Sequence, residues 1–111
     1  MTHDHDSRAA DADCLFTLVL PAALEEDVLD ILLAHPQWVS GFSVLQGHGM
    51  GADARLVSAM EQVQGRARRV LVQATMRQHD VPALLQALRA QMASPEVAYW
   101  ATPLLCSGRL G

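Results

Sequence analysis

Four side chains in the stretch Gly47 to Arg69, GHGMGADARLVSAMEQVQGRARR, carry the groups best suited to binding chemistry: His48, Glu61, Arg66 and Arg69. Neutral imidazole binds transition metals and changes its charge near neutral pH. His48, between Gly47 and Gly49, is therefore a candidate metal ligand or titrating switch, with Glu61 as the candidate carboxylate and a divalent transition metal as the ion. One His and one Glu do not fill a coordination sphere, so further ligands would have to come from a neighbouring subunit. The competing readings are structural. His48 can be an exposed loop residue, and Ser58-Ala-Met-Glu61 fits a capping box in which Glu61 reaches back to the cap of a short helix faced by Leu56, Met60 and Val63. Arg66, Arg68 and Arg69 can clamp a phosphate, a carboxylate or an acidic partner, because the guanidinium fork matches those groups. They can equally be charge at the exposed start of a strand, paired with Asp53 or Glu61. Along an extended chain Arg66 and Arg68 share a face and Arg69 points the other way.

The remaining candidates are weaker. His3-Asp-His5-Asp6 could bind Cu(II) or Ni(II) through the terminal amine, two amides and His3. Removal of Met1 before the small Thr2 would spoil that geometry, and a solvated tail is the simpler reading. Cys14 and Cys106 form no C-x-x-C pair, and each alone reads as a small hydrophobe. They would meet only if the first and last strands approach at those ends. His79 precedes a helix start, and Trp100 reads as packing. No nucleophile–base pair, G-x-S-x-G, P-loop or H-E-x-x-H occurs, so an enzyme is the weakest class.

Composition narrows the partners. The chain has 111 residues, enough for one domain, and half of them are apolar. A net charge of -4 and a pI near 5.6 argue against a nucleic-acid binder that relies on a basic field. The start, MTHDHDSRAADAD, is acidic and polar where a secretory signal would be basic, and the apolar run from Cys14 to Leu24 is too short to span a bilayer. Two widely separated cysteines do not suggest a disulfide scaffold, so a reducing cytoplasm is the expected compartment.

These residues need elements to position them. Residues 1–13 lack periodicity and read as a disordered tail. Cys14 to Leu20 is a β-compatible run ended by Pro21, which suits the first turn of a helix. Leu24, Val28, Ile31, Leu32 and His35 recur at helical spacing until Pro36. A second strand is expected from Val39 to Gln46, with Phe42, Val44 and Trp38 on one side, and a third from Arg68 to Met76. Asp80 is the expected N-cap of a second helix with Pro82 in its first turn and Leu84, Leu85, Leu88 and Met92 on its buried face. Val97 to Leu105 completes the set, its Pro103 indicating an edge or an irregular end.

The order β-α-β-β-α-β predicts an α+β, ferredoxin-like domain over residues 14–111: a four-stranded antiparallel sheet with both helices on one face. Its long loop spans 47–66, well beyond the roughly 2–5 residues of ordinary hairpin loops. The first and third strands are apolar on both sides, whereas a half-solvated sheet alternates. Self-association is expected to bury the second face.

This element order, the long excursion and the apolar second face resemble the PII-like signalling proteins (nitrogen regulatory protein P-II-like), over residues 14 to about 105. Val39-Ser-Gly41-Phe-Ser-Val-Leu-Gln46-Gly47-His-Gly49 looks like that family's second strand and the entry to its mobile T-loop. Ser58-x-x-Glu61-Gln62-Val63-x-Gly65-Arg66-x-Arg68-Arg69, with Tyr99-Trp100, resembles a PII-like subfamily associated with heavy-metal efflux systems of the RND type. The resemblance implies a homotrimer with effectors in clefts between subunits, a T-loop that docks on a partner, and a role in signal transduction and metal homeostasis. Its implied partner is a membrane transporter, without membrane insertion of the chain itself. PII proteins bind ATP or ADP through a glycine-rich loop with a basic residue between helix two and strand four. Here Met92-Ala-Ser-Pro-Glu-Val97 stands in that place, with no glycine nest and no lysine, which argues against that mode of ATP or ADP binding. The alternatives are a metal-binding trimer of the cation-tolerance (CutA) type without a signalling partner, and a small dimeric ferredoxin-like enzyme of the cofactor-free oxygenase kind.

Overall fold

A computed structural model of the protein describes residues 12–47 and 68–111. Strand β1 (Cys14–Pro21) leads through a 3-10 turn (Ala22–Leu24) into helix α1 (Glu25–Leu33), then β2 (Ser43–Gly47). Strand β3 (Arg69–Met76), a 3-10 turn (Gln78–Asp80), helix α2 (Val81–Gln91) and β4 (Ala98–Pro103) follow. The strands form one sheet in the order β2-β3-β1-β4, with every neighbouring pair antiparallel. This is the expected α+β, ferredoxin-like arrangement.

Alternation along the two central strands decides what each face contacts. Phe16, Leu18 and Leu20 of β1 and Val70, Val72 and Ala74 of β3 form one core with Val28, Ile31 and Leu32 of α1 and Leu84 and Leu88 of α2. Both helices therefore cover the same face. On the other face Val19 and Leu71 are buried against each other with Trp100 packed beside them, and Thr17 and Arg69 are buried there too. The two-sided apolar pattern of β1 and β3 is thus partly satisfied within a single chain. Leu45, opposite Leu71, remains exposed on that face.

Several boundaries move from their expected places for identifiable reasons. Pro21 does not open a helix but closes β1, paired with Arg69 at φ −64° and ψ 146°. The next residue, Ala22, donates its N–H to the carbonyl of Arg68, just ahead of β3, so in an antiparallel ladder the amide of Pro21 faces the β4 side. The β1–β4 pairing ends at Val19 and Ala98, and the missing N–H leaves no ladder bond unmade. Glu25, Glu26 and Asp27 then occupy the first turn of α1, where negative charge favours the helix start.

The second strand starts at Ser43 rather than Val39, because the amides of Trp38 and Val39 are both bound to the His35 carbonyl in a turn. Val39 is nevertheless buried in the main core, with Trp38 and Phe42 packed against it. His35 lies beyond the end of α1 and stacks on Trp38, ring centroids 4.6 Å apart. Asp80 stands at the N-cap of α2 but makes no side-chain cap bond. The Asp13 carboxylate instead accepts the Gln78 N–H at 2.6 Å, at the turn leading into α2. The third and fourth strands are each trimmed, to Arg69–Met76 and Ala98–Pro103, and Pro103 closes an edge strand as anticipated.

Leu84 of α2 is fully buried whereas Leu33 of α1 is 66% exposed. Leu84→Ala should lower the unfolding free energy in urea by about 2–5 kcal/mol through lost burial and a residual cavity. Leu33→Ala should change it by less than about 0.5 kcal/mol. Similar midpoints for the two variants would contradict this placement of the helices.

Candidate functional site

The base of the long connection is built from the last pair of the β2–β3 ladder. Gly47 is the partner of Arg69, so the chain leaves and re-enters the sheet through two adjacent backbones. Among the sequence candidates His48, Glu61 and Arg66 lie outside the described residues, as do the Ser58 capping box and His3. Arg69 is described, as are Arg68, His79, Trp100 and both cysteines.

Arg68 and Arg69 diverge as strand geometry requires. Arg68, just ahead of β3, is exposed and donates from Nη2 to the Gln46 side-chain oxygen. Arg69 lies on the opposite face and is buried, at 3% exposure. Burial pushes its guanidinium below the ordinary arginine value, while the Glu96 carboxylate pulls in the opposite direction. The 94–97 turn that carries Glu96 leads into β4 at the same end of the sheet, where the β1–β4 pairing stops at Val19↔Ala98 and the β1–β3 pairing at Pro21↔Arg69.

Glu96 owes its position to a tight turn. The Glu96 N–H donates to Ser94 Oγ and the Val97 N–H to the Ser94 carbonyl, both at 3.2 Å. These amides are consumed within the turn, so they do not form an open anion nest. The carboxylate of Glu96 would also repel a phosphate. Both features weigh against phosphate binding by this turn in the manner of a glycine-rich loop.

Two clefts flank the sheet. One, of about 430 Å³, lies between the C-terminal half of α2 and β4, with Leu18, Leu85, Leu88 and Met92 on its floor and Arg89, Ser94 and Tyr99 around it. Tyr99 is half-exposed and stacks on Phe16, and its hydroxyl receives a long 3.5 Å contact from Arg89 Nη2. The other, of about 450 Å³, is lined by Phe42, Ser43, Gln73, Thr75, Ser107 and Arg109 among others, where the C-terminal segment lies against the sheet. That segment is held by Leu104 N–H to the Asp13 carbonyl and by Ser107 Oγ to the Ala12 carbonyl.

No group of three or more His, Cys, Asp or Glu capable of holding a metal stands among the described residues. A metal site at His48 and Glu61 would have to complete itself elsewhere. Cys14 is buried and Cys106 exposed, both as free thiols. Burial and the neighbouring Asp13 charge push the Cys14 thiol upward. No helix among the described residues is long and apolar enough to cross a membrane.

Sequence reasoning singled out Arg69 but missed Arg89 and Tyr99, which line one cleft, and the influence of the Glu96 charge on Arg69. Ser94-Pro95 signalled a turn, but nothing local signalled which end of the sheet it would lie beside. That placement depends on the register of β1 with β3 and with β4.

The sequence model of a family described as "Protein of unknown function (DUF3240)" matches residues 10–111. A DUF3240 family protein from Shewanella baltica OS155 superimposes with a TM-score of 0.68 at 21% identity, covering 90% of this chain and 98% of that one. CPII from Thiomonas intermedia K12, in a structure bound to ADP, AMP and acetate, gives 0.62 at 13% identity, covering 83% and 85%. A putative PII-like signalling protein from Thermus thermophilus gives 0.57 at 14% identity, covering 83% and 86%. At these identities the likenesses establish the shared fold. No curated protein matches the sequence.

Two outcomes check this site. Glu96→Gln should lower the unfolding free energy by about 0.5–1 kcal/mol, the upper part of the range for an exposed carboxylate acting on a nearby positive charge. An unchanged urea midpoint would show that Arg69 does not depend on Glu96. Iodoacetamide at pH 8 should modify Cys106 but not Cys14 in the folded protein and both in denaturant, as read by intact mass. Modification of both thiols at similar rates without denaturant would contradict the burial of Cys14.

Proposed function

We propose, from the premise that this chain belongs to the DUF3240 family, that it is a PII-like regulatory protein rather than an enzyme. A homotrimer would bind a small effector or metal ion at clefts between subunits and alter the affinity of the long connection for a partner. The observation that carries the reading is the Gly47–Arg69 pairing. It places a long insertion at the end of adjacent strands in a fold that superimposes on a PII-like protein.

His48, Glu61, Arg66 and Arg69 are the residues assigned to effector binding at that base, with His48 and Glu61 as the metal pair. Arg69 would act from its buried position, linked to the 94–97 turn through Glu96. A ligand that favours one arrangement of the connection shifts its population in proportion to the difference in affinity between arrangements. The partner favoured by the sequence resemblance is a metal-efflux transporter of the RND type, met from the cytoplasmic side. The acidic net charge leaves nucleic acid aside as a partner. Exposed Leu45 on the second sheet face and the two open edge strands, β2 and β4, supply surface for assembly.

Light scattering coupled to gel filtration should give the mass of three chains. In a thermal-shift screen with Zn(II), Cu(II), Ni(II), Co(II), ATP, ADP and AMP, at least one should raise Tm, with stabilisation growing as RT ln(1 + [L]/Kd). A metal shift should disappear in His48→Ala. A dimeric or monomeric mass together with no shift from any of the seven would overturn this reading.

A further inference from the structure

The cleft between α2 and β4 combines features that the proposed role of the connection does not use. Its floor is apolar, made by the buried Leu18 and Leu88 with the partly buried Leu85 and Met92. Its rim carries a guanidinium. Arg89 is exposed and, among the described residues, has no carboxylate partner; its polar neighbour is the Tyr99 hydroxyl at 3.5 Å. That distance is at the outer limit of a hydrogen bond, so the donors of Arg89 remain available to a better acceptor. A volume of about 430 Å³ falls within the range of small-molecule sites.

From this arrangement we propose that the α2–β4 cleft binds a small amphipathic carboxylate. Its apolar body lies on Leu85, Leu88 and Met92, and its head group is held by Arg89 with the Tyr99 hydroxyl donating a second hydrogen bond. An anion is the matching head group because the rim offers donors and a positive charge. A phosphate-rich ligand fits less well, since the amides of the adjoining turn are already committed to Ser94. Neutral and cationic amphiphiles lack a counterpart for Arg89.

Octanoate is a suitable probe, with octanol and octylamine as head-group controls, in ¹H–¹⁵N correlation spectra of the full chain. Octanoate should shift the amides of Leu88, Arg89, Val97 and Tyr99 in a saturable manner. Octanol and octylamine should bind about tenfold more weakly or not at all. Arg89→Gln should weaken octanoate binding about tenfold, as expected for loss of a charge-assisted hydrogen bond, while leaving octanol unchanged. Leu85→Trp, which fills the cleft from a partly buried position, should abolish binding; a folded spectrum for this variant makes the result interpretable, and Arg89→Gln tests the site independently.

Equal affinity for octanoate and octanol, no effect of Arg89→Gln, or no saturable shift at the cleft would overturn the site. The last result includes the case in which a second copy of the chain occupies the cleft. A failure here alongside a trimeric mass and a metal or nucleotide thermal shift would remove this site and leave the regulatory reading intact.

Discussion

The pairing of β1 with β3 is the contact on which the remaining structure depends. Its register, from Cys14 opposite Met76 to Pro21 opposite Arg69, selects which side chains lie under the helices. Phe16, Leu18 and Leu20 then meet Val28, Leu32 and Leu84, all nearly or fully inaccessible to water. Burying each such side chain contributes on the order of 1.5–3 kcal/mol. A slip of one residue would exchange them for Leu15, Thr17 and Val19 and place a hydroxyl in the apolar core. The register also satisfies Thr17, which is fully buried on the second face, where the Gln73 amide donates to its hydroxyl at 3.3 Å. Two sides of one strand are thus specified by one alignment.

That alignment reaches the candidate site directly. Pro21 and Arg69 end the β1–β3 ladder, Gly47 ends the β2–β3 ladder beside them, and the 94–97 turn enters β4 at the same end of the sheet. The base of the connection is therefore attached to the most extensively paired part of the fold. Arg69 is buried on the second face at that base, with the Glu96 charge acting on it.

The 94–97 turn has a different character from a glycine-rich anion loop. Its amides close on Ser94, the charge of its carboxylate acts on Arg69, and its apolar members line the α2–β4 cleft. The segment connects two faces of the domain. Similarity to a protein whose structure contains ADP and AMP extends to the fold, while the chemistry at this turn is this chain's own.

Much of the architecture was legible from short-range pattern. The apolar runs of Cys14–Leu20 and Val70–Met76, the helical spacing of Val28, Ile31 and Leu32, and Leu84 with Leu88 led to the correct order of elements. These signals are local, arising from backbone periodicities of about 2.0 and 3.6 residues. Where an expectation failed, a distant contact had replaced a local preference: Asp13 rather than Asp80 serves the turn before α2, and Pro21 completes a ladder instead of opening a helix. The sequence by itself determined the fold class, the long insertion after Gly47 and the set of polar groups available near it. Only the tertiary structure decided that Arg69 is buried, that the 94–97 turn lies at its end of the sheet and that Arg89 and Tyr99 line one cleft. The reason is physical: each of those facts depends on the relative register of strands separated by tens of residues, which no local periodicity encodes.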